Sequence, residues 1–368
     1  MVRVWIKVAN AHIVDIKYKV FGCPAAVAVC SMMTELAIGK HVDDAYEITD
    51  AQVAEALGGL PEQKYHCSNL AASALHKAIM NYALKKPCKK SAITVTTLVN
   101  NSAPGNLQSE HGLSFWIESE DRHILFDTGQ SDIIVKNAKL LNINLASAEA
   151  IVLSHGHYDH TGGIPAVVDI ARKADIYLHP DVLKPKFGRK NNKTKMIGMS
   201  DLSKQLVLRL AGNKKVTLTE TPTEVSKGLF VTGSIPRKTN FEDTGGDFYI
   251  DDNCTTHDDL PDDQAVYFKT AKGLVVLLGC AHSGVVNTLD YIVNLTGEKH
   301  IYAVLGGIHL LHASSERIDR TIEAIKKYDV QELGLAHCTG DNAMERLKNA
   351  FPEQSFECPA GTQRKFIV

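Results

Sequence analysis

Residues 155–160 read His-Gly-His-Tyr-Asp-His, so three imidazoles and a carboxylate fall within six positions, directly after the apolar run Ile151-Val152-Leu153 and before the glycine pair Gly162-Gly163. In an extended or gently turning segment, side chains two positions apart face the same way. His155 and His157 can therefore grip one cation, while Asp159 and His160, at the turn into the glycines, swing toward a second. Zinc is the default ion for imidazole and carboxylate donors, and such sites also take iron or manganese.

Five apolar runs in the later part of the chain end at a polar or glycine-rich turn: "HILFDTG", "AIVLSHGH", "VVLLGCAH", "YAVLGGIH" and "ELGLAHCTG". Strands buried on both faces read as continuous apolar runs, and in layered α/β folds the functional groups collect just outside their carboxyl ends. The runs thus deliver Asp127, His155, Cys280 with His282, His309 and His337 to one sheet edge. His309 is a candidate for substrate contact or proton transfer, and His111 in "EHGLS" lies at the expected rim. "AHSGVVNTLDYIV" and "AHCTGDNAMERL" each read as a helix start whose free N–H groups could hold an anion. Arg237 and Lys238 in "SIPRK" would add positive charge for a phosphate-bearing substrate.

Ahead of these runs the pattern is different. Alternating segments ("VRVWIKV", "HIVDIKYKV") are followed by helical spacing at roughly 24–38 and 68–84, with a shorter stretch near 50–57. This describes a small α+β unit with strands first and helices after. Around "LKKPCKKSA" a proline flanked by lysines marks a solvated break. The expected organisation is a first domain over 1–85, a linker over 86–91 and a second domain over 92–368.

The length of 368 residues is consistent with two domains, and an apolar fraction of 44% supports sizeable cores. A net charge of -2 and the lack of a basic, aromatic-rich stripe disfavour a nuclease or another nucleic-acid partner. No apolar run approaches the ~18 residues of a membrane span, and the amino-terminal segment alternates where a signal peptide would be continuously apolar, so the expectation is a cytoplasmic protein with no membrane partner. The eight cysteines are sparse for a disulfide framework, which leaves thiols and metal ligands as their uses.

The order "FDTG" then His-X-His-X-Asp-His after an apolar strand resembles the metallo-β-lactamase superfamily over roughly 92–368. "EHGLSFWIE", "GCAHSG", "GGIHL" and "AHCTG" look most like its dihydropterin–ribofuranosylaminobenzene phosphate synthase-like branch. That resemblance implies an αββα sandwich holding two divalent metal ions. It gives Asp127 a supporting role, makes His155, His157, Asp159, His160 and His337 ligands, and places Asp159 where it would orient the attacking water. The superfamily's usual "PGH" histidine is missing from "GLFVTGSIPRKTNF", and Cys280 stands where a bridging aspartate is usual. His282, two residues on, is expected to replace the missing ligand of the first metal, and Cys280 is a further candidate.

"VFGCPAAVAVCSMMTELAIGK" and "LGGLPEQKYHCSNLAASALHKAIMNY" resemble the amino-terminal domain of the IscU and NifU iron–sulfur scaffolds. Cys23 matches the family's middle cysteine and Cys67 its last, with His66 just before it. The family's first cysteine lies ahead of the strand that begins here at residue 2 and has no counterpart. Either the reading frame starts late, or the domain binds a cluster or metal through Cys23, His66 and Cys67, or it is a relict docking module. The resemblance implies a cysteine desulfurase and iron–sulfur machinery as partners.

The expected activity is that of a metal-dependent hydrolase of a small ester or phosphorylated substrate. The alternative is an iron–sulfur assembly or interaction protein whose larger domain is regulatory. Oligomeric association is compatible with either.

Overall fold

A computed structural model of the chain describes residues 2–61, 64–85, 92–120 and 122–368. The chain divides into two compact units, Met1–Lys90 and Ser91–Val368. The positions expected to form a linker lie outside the described residues.

In the first unit, Val2–Ala9 and His12–Val20 form an antiparallel hairpin. Helices follow at Pro24–Ala37, Val42–Tyr46, Asp50–Ala56 and Tyr65–Lys85. The Val42–Tyr46 turn has no counterpart in the sequence pattern because it is too short for a period to show. Pro24 starts its helix where its missing N–H is not needed. The helix of Asp50–Ala56 begins with a capping box between Thr49 and Gln52. A core of Ile13, Val29, Met33, Val53, Leu75 and Ile79 joins helices to hairpin.

The second unit is built on two seven-stranded sheets. The first runs, in spatial order, Val216–Leu218, Asp175–Leu178, Ala150–Val152, His123–Phe126, Ser114–Glu118, Ala92–Val99 and Gln363–Ile367. The second runs Thr223–Ser226, Leu229–Val231, Ala265–Thr270, Gly273–Leu278, Ile301–Gly306, Glu332–Leu335 and Ser355–Glu357. Alternation within each strand explains the layering. Phe115, Ile117, Ile124, Phe126 and Val152 of one sheet pack with Val266, Phe268, Val275, Leu277 and Leu305 of the other. Trp116, Leu125 and Ile151 point the opposite way, into a core with the helices around Ile134, Val167 and Val207. Leu274, Val276 and Leu278 do the same on the second sheet, against helix residues Leu289, Ile318 and Leu347. Helix, sheet, sheet, helix is the αββα sandwich expected for the larger domain.

A three-stranded sheet stands apart, made of Phe187–Lys190, Lys193–Met196 and Phe248–Tyr249. Among the described residues no helix is long and apolar enough to cross a membrane.

Candidate metal centre

Each apolar strand hands its polar residues to one cleft. Ala150–Val152 leads into Ser154, His155 and the short helix Tyr158–Thr161, with His157 as that helix's N-cap. The parallel strands Gly273–Leu278, Ile301–Gly306 and Glu332–Leu335 lead to Cys280 with His282, to His309 and to His337. Asp127, His309 and His337 all adopt left-handed backbone angles, with φ of 60°, 42° and 50°. Such conformations cost of order 1 kcal/mol each and cluster where function fixes a side chain's direction. Gly279 is required for space, because a Cβ there would lie 2.2 Å from Ser154 Oγ.

The hydrogen bonds assign the imidazole nitrogens. Asp127 is fully buried, accepting from the Ser154 backbone N–H at Oδ1 (2.7 Å) and from Ser154 Oγ at Oδ2 (2.6 Å). The one Ser154 hydroxyl proton is thereby committed, so at 2.8 Å His155 Nδ1 must be the donor to Ser154 Oγ. That leaves His155 Nε2 as a bare lone pair, 2.9 Å from His157 Nδ1. His282 Nδ1 donates to the Thr244 carbonyl (2.8 Å), and its buried Nε2 has no hydrogen-bond partner. The ligand atoms of His155, His157 and His282 all lie within 4.8 Å of one another.

A second group sits beside the first. His160 Nδ1 donates to Asp127 Oδ2 at 2.7 Å, turning Nε2 toward His337 Nε2 (3.3 Å) and Cys280 Sγ (3.2 Å). His337 Nδ1 donates to Asn101 Oδ1 (2.9 Å), so its Nε2 is the bare nitrogen, 3.2 Å from Asp159 Oδ2. His111 Nε2 lies 3.1 Å from the same carboxylate oxygen. His155, His160, His282 and His337 thus each tie one ring nitrogen to a protein acceptor and aim the other inward, as metal-ligating histidines do. The exception is His157, whose buried Nε2 has no hydrogen-bond partner and whose ring packs at 5.2 Å from that of Phe248.

Electrostatics separate the two groups. Burial holds His155, His157 and His282 well below the ordinary histidine range, keeping them as the neutral imidazoles that metal ligation requires. Burial also opposes charge on His160, but the Asp127 and Asp159 carboxylates outweigh it and push that group up to about 9. For Asp159, burial is outweighed by the charge of His160 and the hydrogen bond from His111, and its pKa falls well below the carboxylate range. His111 is raised, chiefly by its hydrogen bond to Asp159.

The cleft has a volume of about 1560 Å³. His111, His157, Asp159, Cys280, His282, His309 and His337 line it, as do Arg189, Lys190, Lys193 and Lys195 of the 187–196 hairpin. Arg237 and Lys238 do not. Arg237 donates to the Asp259 carbonyl (2.7 Å) and Lys238 gives its backbone N–H to Asn287 Oδ1, so the positive wall comes from a different segment than expected. The helix start at Val285–Thr296 is likewise not open to an anion, since Glu242 accepts from the N–H groups of Val286 and Asn287.

Ser154, Asn101, Thr244 and Cys338 were not anticipated. Cys338 is buried and lines the cleft beside Cys280. In the first unit, Cys23 occupies the N-cap position of the helix of Pro24–Ala37, without a side-chain capping bond. The backbone of His66 and Cys67 lies in the first turns of Tyr65–Lys85, while their side chains lie outside the described residues.

Residues 1–89 match the NifU-like N terminal domain family, and residues 109–333 match the metallo-beta-lactamase superfamily. The chain is similar to the 7,8-dihydropterin-6-methyl-4-(beta-D-ribofuranosyl)-aminobenzene-5'-phosphate synthase of Methanocaldococcus jannaschii, with 34% identity over 76% of this chain and 98% of that protein. Its first unit is similar to iron-sulfur cluster assembly scaffold protein IscU 1 of Archaeoglobus fulgidus, with 55% identity over 23% of this chain and 56% of that protein. A solved structure of a metal-dependent hydrolase of the beta-lactamase superfamily covers 74% of this chain and 98% of its own, with a TM-score of 0.62 and 29% identity.

Proposed function

Because the chain belongs to the metallo-β-lactamase superfamily and carries a NifU-like domain at its amino end, we propose that its larger domain is a two-metal enzyme acting on a small, phosphate-bearing substrate. The observation that carries this reading is the pair of adjoining donor sets on one cleft floor, His155–His157–His282 and Asp159–His160–His337 with His111 beside Asp159. The donor chemistry fits divalent cations. The inward nitrogens of His155, His282 and His337 are bare, His160 gives up a proton on binding a cation, the outward nitrogens are fixed by Ser154, Asp127, Thr244 and Asn101, and His282 Nε2 is a buried polar atom with no hydrogen-bond partner among the described residues.

Zinc, iron or manganese would each be accepted by this set. Such ions act as Lewis acids and make water a nucleophile near neutral pH. The protein's own groups do the rest. Asp159, held ionised, is placed to accept a hydrogen bond from water at the cleft floor and so to orient it. His111, half exposed and poised by Asp159, is positioned to return a proton to a leaving group. His309, with its ring centroid 4.2 Å from that of His282, faces the same cleft as a substrate-contacting group. Arg189, Lys190, Lys193 and Lys195 supply positive charge for phosphate. The 5'-phosphate in the name of the Methanocaldococcus relative supports that substrate class.

The first unit serves as an iron–sulfur carrier or docking module, with Cys23, His66 and Cys67 as its binding groups and a cysteine desulfurase as its partner class. The test is metal analysis of the purified chain together with turnover of bis(p-nitrophenyl) phosphate and p-nitrophenyl phosphate. Metal-dependent turnover abolished by His157→Ala supports the enzyme. No turnover of either ester, with visible absorption lost on Cys67→Ser, would favour iron–sulfur assembly as the main task.

A further inference from the structure

Beside the two histidine-rich sets lies a third group that the two-metal reading does not use as ligands. Cys280 follows the strand Gly273–Leu278, His309 follows Ile301–Gly306, and Cys338 follows Glu332–Leu335, so three adjacent parallel strands bring sulfur, imidazole and sulfur together. Their ligand atoms lie within 4.8 Å of one another. The approach is close: Cys338 Sγ is 3.8 Å from the Cys280 carbonyl oxygen, and a Cβ on Gly307 would fall 2.6 Å from that sulfur. Glycine at 307 is what makes room for it.

The polar atoms of this trio turn mainly toward one another. His309 Nδ1 is buried without a hydrogen-bond partner. Both thiols are buried, and all three residues line the cleft, so an ion has access from solvent. A buried polar group without a partner is costly, and two sulfurs with one imidazole form a donor set suited to thiophilic cations.

We propose that Cys280, His309 and Cys338 form a third cation site, selective for a thiophilic ion such as Zn²⁺ or Fe²⁺ and distinct from the two histidine-rich positions. Loss of both thiol protons on binding balances the charge of a divalent ion, and the two protons leave to solvent. Cys280, whose sulfur is also 3.2 Å from His160 Nε2, links this site to the neighbouring set. The inference goes beyond the two-metal reading and does not require it.

The test uses the full chain with Cys23→Ser, Cys30→Ser, Cys67→Ser and Cys88→Ser, so that first-unit cysteines contribute nothing, stripped of metal and reloaded with Co²⁺. Sulfur-to-cobalt charge transfer in the near ultraviolet reports thiolate ligation, and elemental analysis counts the ions. The parent should show the absorption, and Cys338→Ser and His309→Gln should each bind about one cobalt fewer with the absorption weakened. His157→Ala should lose cobalt while retaining the absorption, which separates failure of this site from failure of the two-metal reading. Two variants guard against one that misfolds, checked by near-ultraviolet circular dichroism. Absence of the absorption in the parent, full cobalt content and absorption in both variants, or a Cys280–Cys338 disulfide in the protein as purified would overturn the proposal.

Discussion

His160 Nδ1 donates a 2.7 Å hydrogen bond to Asp127 Oδ2, and both side chains are buried. Asp127 touches no substrate-facing surface, yet through Ser154 it also fixes the ring of His155, so one carboxylate orients a histidine in each donor set. Asp127→Ala should therefore weaken metal binding about 10- to 100-fold in both sets. Competition against a chromophoric chelator measures this, and affinity unchanged in either set would remove Asp127 from the role.

His111 meets the centre through Asp159 Oδ2, at 3.1 Å, and through its ring, 4.8 Å from that of His337, and its side chain is 53% exposed. A proton-transfer group is expected to matter for turnover more than for metal retention. His111→Ala should keep its metal content and lose about 100-fold in kcat. Loss of one metal equivalent from this variant would reassign His111 as a ligand.

The cationic wall has a signature of its own. Lys190→Ala and Lys193→Ala should raise KM for a phosphate ester with little change in kcat, and should blunt inhibition by inorganic phosphate and by added salt. Arg237→Ala serves as the comparison, because its guanidinium is engaged with the Asp259 carbonyl. Equal effects at Arg237 and at the hairpin would count against the placement of the anion subsite.

Cys358 gives a pH dependence remote from the metal centre. Burial pushes its thiol up to about 12 from the ordinary 9.0. The folded chain holds that proton more tightly than the unfolded chain, so the contribution to stability is complete below the ordinary value and is lost as pH rises from there through the folded value. Urea unfolding of wild type and Cys358→Ala at about pH 8 and about pH 10 should show the gap between them narrowing at the higher pH. A constant gap would mean that the thiol does not titrate as placed.

What could be read from the sequence follows from the range of each signal. The histidine and aspartate positions stood out because strand ends announce themselves by the switch from apolar run to turn, but the strands that carry them belong to two sheets that end at one cleft and not to one sheet edge. The αββα layering followed from resemblance, and alternation such as Phe115–Trp116–Ile117 now supplies its physical basis. Cys338 was missed because it directly follows His337, and only the left-handed turn at His337 lets neighbouring side chains serve two donor groups. Its signal was available: a cysteine between a strand end and Gly340. The cationic side chains that line the cleft come from "RKNNKTK" and not from "SIPRK", because charge alone does not say which loop faces the cleft. Glu242 on the Val285–Thr296 helix is a contact between segments distant in sequence, which no local pattern encodes.

The central claim is that two separate donor sets hold two cations on one cleft floor. Anomalous diffraction at the zinc edge from crystals of the zinc-loaded protein tests it most directly. The account predicts one peak among His155 Nε2, His157 Nδ1 and His282 Nε2, and another among Asp159, His160 and His337. A single peak across these histidines, or none, would contradict it.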